Sequence, residues 1–130
     1  MVQRTVVFVC PHGAGKSRLA AAWFNGSAPT DWWATTAGIS PQTEVSQHAP
    51  RLLDGTAAAV FLDTAPPRAL TAVPMATVVV AIDCPADSFE RTVSWQLDNQ
   101  DFDEAMAAEL QQRAQDLARV LGGQRPHSQH

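Results

Sequence analysis

The sequence predicts an α/β fold, a three-layer sandwich built on a four-stranded parallel sheet, and three observations carry that expectation. "TVVFVC" at 5–10 and "TVVVAID" at 77–83 are continuous apolar, β-branched runs, as expected of strands buried on both faces. The first run passes through the glycine-bearing turn "PHGAG" straight into helix-forming "KSRLAAAWFN", a strand–loop–helix unit of the kind that opens a βαβ fold. Residues 102–121, "FDEAMAAELQQRAQDLARVL", close the chain with a long amphipathic period.

The elements follow in order. The first helix carries apolar residues at Leu19, Ala22 and Trp23. "WWATTAG" at 32–38 reads as the second strand, closed by Gly38. Ser40 and Pro41 mark a turn, and a short helix includes residues 50–53, with Pro50 in its first turn and Gly55 as its stop. Residues 55–75 resist assignment; consecutive Pro66 and Pro67 mark a loop. "TVSWQL" at 92–97 is the last strand, with Val93 and Trp95 on one face. In the final helix Phe102, Met106, Leu110, Leu117 and Leu121 form one stripe, and acidic residues crowd its start, where the helix dipole favours them. Residues 1–121 read as a single domain and 122–130 as a flexible polar tail.

Composition narrows the function. With 45% hydrophobic and 17% charged residues, the 130-residue chain has the balance of an ordinary globular protein. A net charge of −4 argues against broad binding to nucleic acid or to acidic membranes, so any phosphate recognition is local. No apolar stretch is long enough to span a bilayer and the N-terminus lacks a signal-peptide layout, which points to the cytoplasm. Two distant cysteines make no disulfide framework and are expected to be reduced. His127 and His130 lie in the tail without companion ligands, so neither a metal nor another cofactor is expected.

The segment "CPHGAGKS" at 10–17 concentrates the chemistry. Backbone amides of a tight loop entering a helix converge on one point, and the helix N-terminus adds positive potential there. Such a nest takes a phosphate or another oxyanion. Read as a nucleotide loop, the segment matches only in its second half, because Cys10 stands where the first glycine belongs. Asp83, at the end of "VVVAID", would then support magnesium. Read as a thiolate loop, five residues separate Cys10 from Lys16.

On that second parse the chain resembles the low-molecular-weight protein tyrosine phosphatases and the related thioredoxin-linked arsenate reductases. Their Cys-x5-Arg-Ser loop follows the first strand, as "CPHGAGKS" does here. "ATTAG", "VVVAID", "WQLDN" and the final helix match further family segments in order, and only residues 55–75 match weakly. The resemblance implies a phosphatase-I-like fold with Cys10 as nucleophile, Ser17 bonded to its thiolate, and Asp98 as the acid that protonates the leaving oxygen. Asp101 and Asp103 are nearby alternatives for that acid. Pro11, His12, Gly13, Ala14, Gly15, Lys16, Ser17 and Arg18 would surround the phosphate. The implied partner is phosphate itself, an aryl phosphate or a phosphotyrosine protein, whereas the oligomeric state is not legible.

Departures from the family pattern set the finer expectations. Lys16 stands for an arginine whose planar fork grips two phosphoryl oxygens; a lysine keeps the charge but not the geometry. Gly13 replaces a bracing asparagine, His12 fills a position that is usually small, and Asn99 replaces a proline. Weak hydrolysis is therefore expected, with an inactive phosphate binder as the alternative. Cys84 is a redox candidate, but the arsenate reductase relay needs three cysteines and the chain has two. The plainer alternatives stay open here: Cys10 and Cys84 as buried thiols, Asp98 as a solvated loop carboxylate and Arg18 as a solvated helix residue. Trp23, Trp32, Trp33 and Trp95 are expected in the core or on the rim of the site, and Glu90–Arg91 on the surface.

Overall fold

The computed structural model describes residues 4–11, 15–27, 31–38, 48–63, 68–69, 77–83, 92–99, 101 and 103–122. Strands β1 (Arg4–Cys10), β2 (Trp32–Gly38), β3 (Val78–Ile82) and β4 (Thr92–Trp95) form one sheet in the order β2-β1-β3-β4. Every pairing is parallel, with Cys10 opposite Gly38 and Val9 opposite Ala81. Helices α1 (Lys16–Ser27), α2 (His48–Leu53) and α3 (Glu104–Gly122) flank it. The α/β class and the parallel sheet expected from the sequence are present. The apolar runs identify β1 and β3 because a parallel strand covered on both faces has no polar side to alternate with.

Side chains of β1 divide between two apolar clusters. Val6, Phe8 and Cys10 pack with Leu19, Phe24, Met106 and Leu110, whereas Val7 and Val9 join Ala37 and Val79 in a smaller cluster on the other face. Phe8 sits at the centre of the larger one, edge-on to Phe24 at 5.9 Å and tilted against Trp95 at 5.6 Å. Trp32 and Trp95 are thus core residues, while Trp33 is exposed and Trp23 half-buried. Met106, Leu110 and Leu121 of the predicted stripe are buried, and α3 uses them to pack against α1.

Local chemistry sets the element ends. Asp103 caps α3, its Oδ1 accepting the Met106 amide at 3.0 Å. Gly55, at φ +79°, follows α2 in the left-handed region that glycine adopts freely, and the Thr56 amide returns to the Leu53 carbonyl at 2.9 Å. Where the sequence resisted assignment, Ala57–Phe61 forms a 3-10 helix.

The outer edge of β2 is closed by side chains. Asn25 acts as a one-residue strand there: its Oδ1 accepts the Ala34 amide at 2.8 Å and its Nδ2 donates to the Ala34 carbonyl at 3.1 Å. Arg68 continues the seal, donating from Nη1 to the Thr36 carbonyl at 3.0 Å, while its backbone carbonyl accepts the Gly38 amide at 2.9 Å. Among the described residues, no helix is long and apolar enough to cross a membrane.

Candidate active site

All four strands run the same way, so the chain brings its chemistry to their C-terminal ends, where open parallel sheets bind ligands. Cys10 is the last residue of the internal strand β1 and is 3% exposed. Its Sγ lies 3.2 Å from Oγ of Ser17, a fully buried residue in the first turn of α1. The thiol donates in this contact; once it ionises, the serine hydroxyl is the donor and the sulfur the acceptor. Gly15 starts the helix, its carbonyl accepting the Arg18 and Leu19 amides, both at 3.0 Å. Cys10 therefore sits against the N-terminal end of a helix, where negative charge is favoured. Pro11 is half-buried beside it, and His12, Gly13, Ala14 and Cys84 lie outside the described residues.

Lys16 makes a contact that sequence reasoning missed. Its Nζ lies 2.7 Å from Asp83 Oδ2, and both side chains are mostly buried. Asp83 directly follows β3 at φ 53°, a left-handed conformation that aspartate tolerates better than most residues. Its amide donates to the Trp95 carbonyl at 2.9 Å and its Oδ1 accepts the Leu97 amide at 3.0 Å. One carboxylate thus ties the loop lysine to the ends of β3 and β4. The available signal was an acidic residue ending a buried strand, which on the nucleotide parse pointed to magnesium; here that carboxylate holds the lysine instead.

Arg18 corrects the expectation more sharply. It is not a solvated helix residue. At 1% exposure it is one of the largest fully buried side chains, and its Nη1 donates to the Asp63 carbonyl. The Asp63 carboxylate lies 3.8 Å from that guanidinium and 3.0 Å from Nη2 of Arg68, whose Nη1 also reaches Thr35 and Thr36. Burial pulls the Arg18 guanidinium below the usual arginine range, Asp63 opposes that, Arg68 adds to it, and Cys10 opposes it. No helix periodicity could reveal this network, because Asp63 and Arg68 fall in the stretch that the sequence left unassigned.

Asp98 is exposed on the connection from β4 to α3. Its backbone is held firmly by Glu109 of α3, whose two carboxylate oxygens accept the Asp98 amide at 3.1 and 3.0 Å. Glu109 also accepts the Asn99 amide at 3.1 Å, Asn99 Nδ2 at 3.0 Å and Arg113 Nε at 3.0 Å. Burial pushes the Glu109 carboxyl up, but these donors outweigh it and hold it below its ordinary value. Of the alternative acids, Asp103 is occupied as the α3 cap and Asp101 is exposed, its carbonyl accepting the Asp103 amide.

No protein-family model and no curated protein matches the sequence. Solved structures do match, and they share the fold described above. An arsenate reductase from Archaeoglobus fulgidus is 25% identical, covering 88% of this chain and 98% of its own, with a TM-score of 0.68. The YwlE arginine phosphatase from Geobacillus stearothermophilus is 20% identical over 98% of both chains, with a TM-score of 0.76. A low-molecular-weight protein tyrosine phosphatase from T. tengcongensis is 18% identical, covering 91% of this chain and 99% of its own, at a TM-score of 0.69. The chain thus has the fold of low-molecular-weight phosphatases and arsenate reductases, in agreement with the resemblance of its motifs.

Proposed function

We propose that the protein is a phosphomonoesterase of the low-molecular-weight phosphatase type, acting on an aryl phosphate or phosphotyrosine through Cys10. The observation that carries the reading is the Cys10–Ser17 contact at 3.2 Å, at the end of a buried parallel strand and the start of a helix. The Cys10 thiolate attacks phosphorus, and the bond from phosphorus to the ester oxygen breaks as Asp98 gives that oxygen a proton. Water, deprotonated by the same carboxylate, then cleaves the phosphorus–sulfur bond, releasing phosphate and restoring the thiolate. A single domain over 1–121, located in the cytoplasm, completes the proposal. Support comes from the shared fold and from a relative, 16% identical, described in a phosphate-binding state.

Lys16 limits the rate. Losing a well-placed transition-state donor costs ~10²–10³-fold, and a lysine drawn to Asp83 does not supply the missing fork. That same ion pair favours a second reading, a protein that binds phosphate or a phosphoprotein without turnover. It counts against the nucleotide reading, since Asp83 is engaged with Lys16 and the Leu97 amide. An arsenate reductase relay has only two cysteines to draw on.

The reading is tested by acid-quenching the protein during reaction with an aryl phosphate and mapping the label by mass spectrometry. Phosphate on the Cys10 peptide is the expected result. Product release with no label on that peptide, and with full activity retained by Cys10→Ala, would overturn the covalent mechanism.

A further inference from the structure

The connection from β4 to α3 is exposed at Gln96 and Asp98, yet four consecutive residues in it are each bonded to a side chain from elsewhere in the fold. Arg113 Nη2 donates to the Gln96 carbonyl at 3.3 Å, and its guanidinium lies over the Trp95 ring, 5.9 Å from the centroid. The Leu97 amide donates to Asp83 Oδ1 at 3.0 Å, and the other oxygen of that carboxylate lies 2.7 Å from Lys16 Nζ. Glu109, its side chain 13% exposed, accepts the Asp98 amide, the Asn99 amide and the Asn99 side chain, all within 3.1 Å. Arg113 Nε donates to the same carboxylate at 3.0 Å. These four residues are thus bound on one side to α3 and on the other to the strand end that holds Lys16. General acid catalysis depends on a donor held within hydrogen-bond reach of the leaving oxygen, so whatever fixes the donor's backbone acts on the rate.

We propose that Glu109, braced by Arg113, is the positioning residue for the proton donor: it fixes the Asp98 backbone so that the Asp98 carboxyl meets the leaving oxygen. The proposal rests on the reading of Asp98 as that donor and adds the α3 side chains through which its placement is set. A carboxylate suits the task because it only accepts, through two oxygens, and the groups bonded to it here are donors. Glutamine at this position keeps one accepting oxygen and turns an NH2 group towards those same donors. Arg113 has a different part, holding the Glu109 carboxylate and the Gln96 carbonyl at once and so tying the clamp to the start of the connection. The consequence falls most clearly on the step in which the ester oxygen leaves. A weakly basic nitrophenolate departs readily without a proton, whereas a phenolate depends on one.

The test is the ratio of kcat/KM for p-nitrophenyl phosphate to kcat/KM for phenyl phosphate, measured on the full-length chain. Asp98→Asn, which removes the donor itself, raises this ratio by ~10-fold or more, since a general acid contributes most to the poorer leaving group. Glu109→Gln raises it in the same sense by about threefold or more, as a misplaced donor loses part of that contribution. On the Asp98→Asn background Glu109→Gln adds nothing further, because an absent donor cannot be misplaced. Asn25→Ala, which loosens the far edge of the sheet, leaves the ratio at the parent value, so a general loss of stability does not imitate the effect. The proposal is overturned if Asp98→Asn raises the ratio and Glu109→Gln does not, if the two effects add in the double variant, or if Asn25→Ala raises the ratio equally. Should Glu109→Gln fail to fold, Arg113→Met decides by the same criteria. A ratio unmoved by Asp98→Asn is a different failure, which removes Asp98 as the donor and this proposal with it. A wild type without Cys10-dependent turnover removes the hydrolytic reading first, and both fall together.

Discussion

Lys16 and Asp83 share a contact that bears directly on the proposed phosphate site. An incoming phosphate must compete with the Asp83 carboxylate, 2.7 Å from the ammonium, for the same charge. Asp83→Asn removes the competitor and is expected to tighten phosphate binding by on the order of 1 kcal/mol, several-fold in Kd. Thermal shift against phosphate concentration checks this: a larger stabilisation than wild type is expected, and an unchanged or smaller one would mean that Lys16 does not face the anion. The aspartate also anchors the Leu97 amide, so the ligand-free variant should melt lower even as phosphate stabilises it more.

Two elements owe their placement to single polar side chains. Glu109 of α3 pins the segment carrying Asp98, and its carboxyl is held below the usual glutamate range by the donors it accepts. A lowered folded value means that this contribution to stability is complete above the ordinary glutamate range and is lost as pH falls through the folded value. Glu109→Gln should therefore lower Tm by a few degrees at neutral pH and erase part of the stability loss expected on acidification below the ordinary glutamate range. If Asp98 is the proton donor, the same substitution lowers kcat more than it raises KM; a change confined to KM would detach Asp98 from the chemistry. At the opposite edge, Asn25 supplies both hydrogen bonds of the missing neighbour strand to Ala34. Asn25→Ala is expected to cost about 1 kcal/mol in urea unfolding with activity retained. A loss of activity at unchanged stability would tie the β2 edge to the site instead.

Across the whole molecule, what the sequence revealed was whatever periodicity and turn chemistry encode locally. β1, β3 and α3 were legible because buried parallel strands and an amphipathic helix leave unbroken patterns, whereas the Cys10–Ser17 contact was expected only from the resemblance of the loop to a known motif. The partners across the fold were not legible. Asp83 meets Lys16 across 67 positions of sequence, and Arg18 meets Asp63 across 45, pairings that come from strand order and not from any local signal. The 3-10 helix was missed for a related reason: "AAAVF" has no cap or period of its own and is placed by packing against α1. Those long-range contacts modify the loop, and the proposed hydrolysis stands or falls on Cys10 as its nucleophile. Its most direct test is hydrolysis of p-nitrophenyl phosphate from pH 5 to 8 by wild type, Cys10→Ser and Lys16→Arg. Slow turnover by wild type, none by Cys10→Ser, and a gain of ~10-fold or more in Lys16→Arg, as a fork replaces a point charge, are the expected results. Wild type no faster than Cys10→Ser, with phosphate still bound, would contradict the proposed hydrolysis and leave an oxyanion-binding protein built on a phosphatase fold.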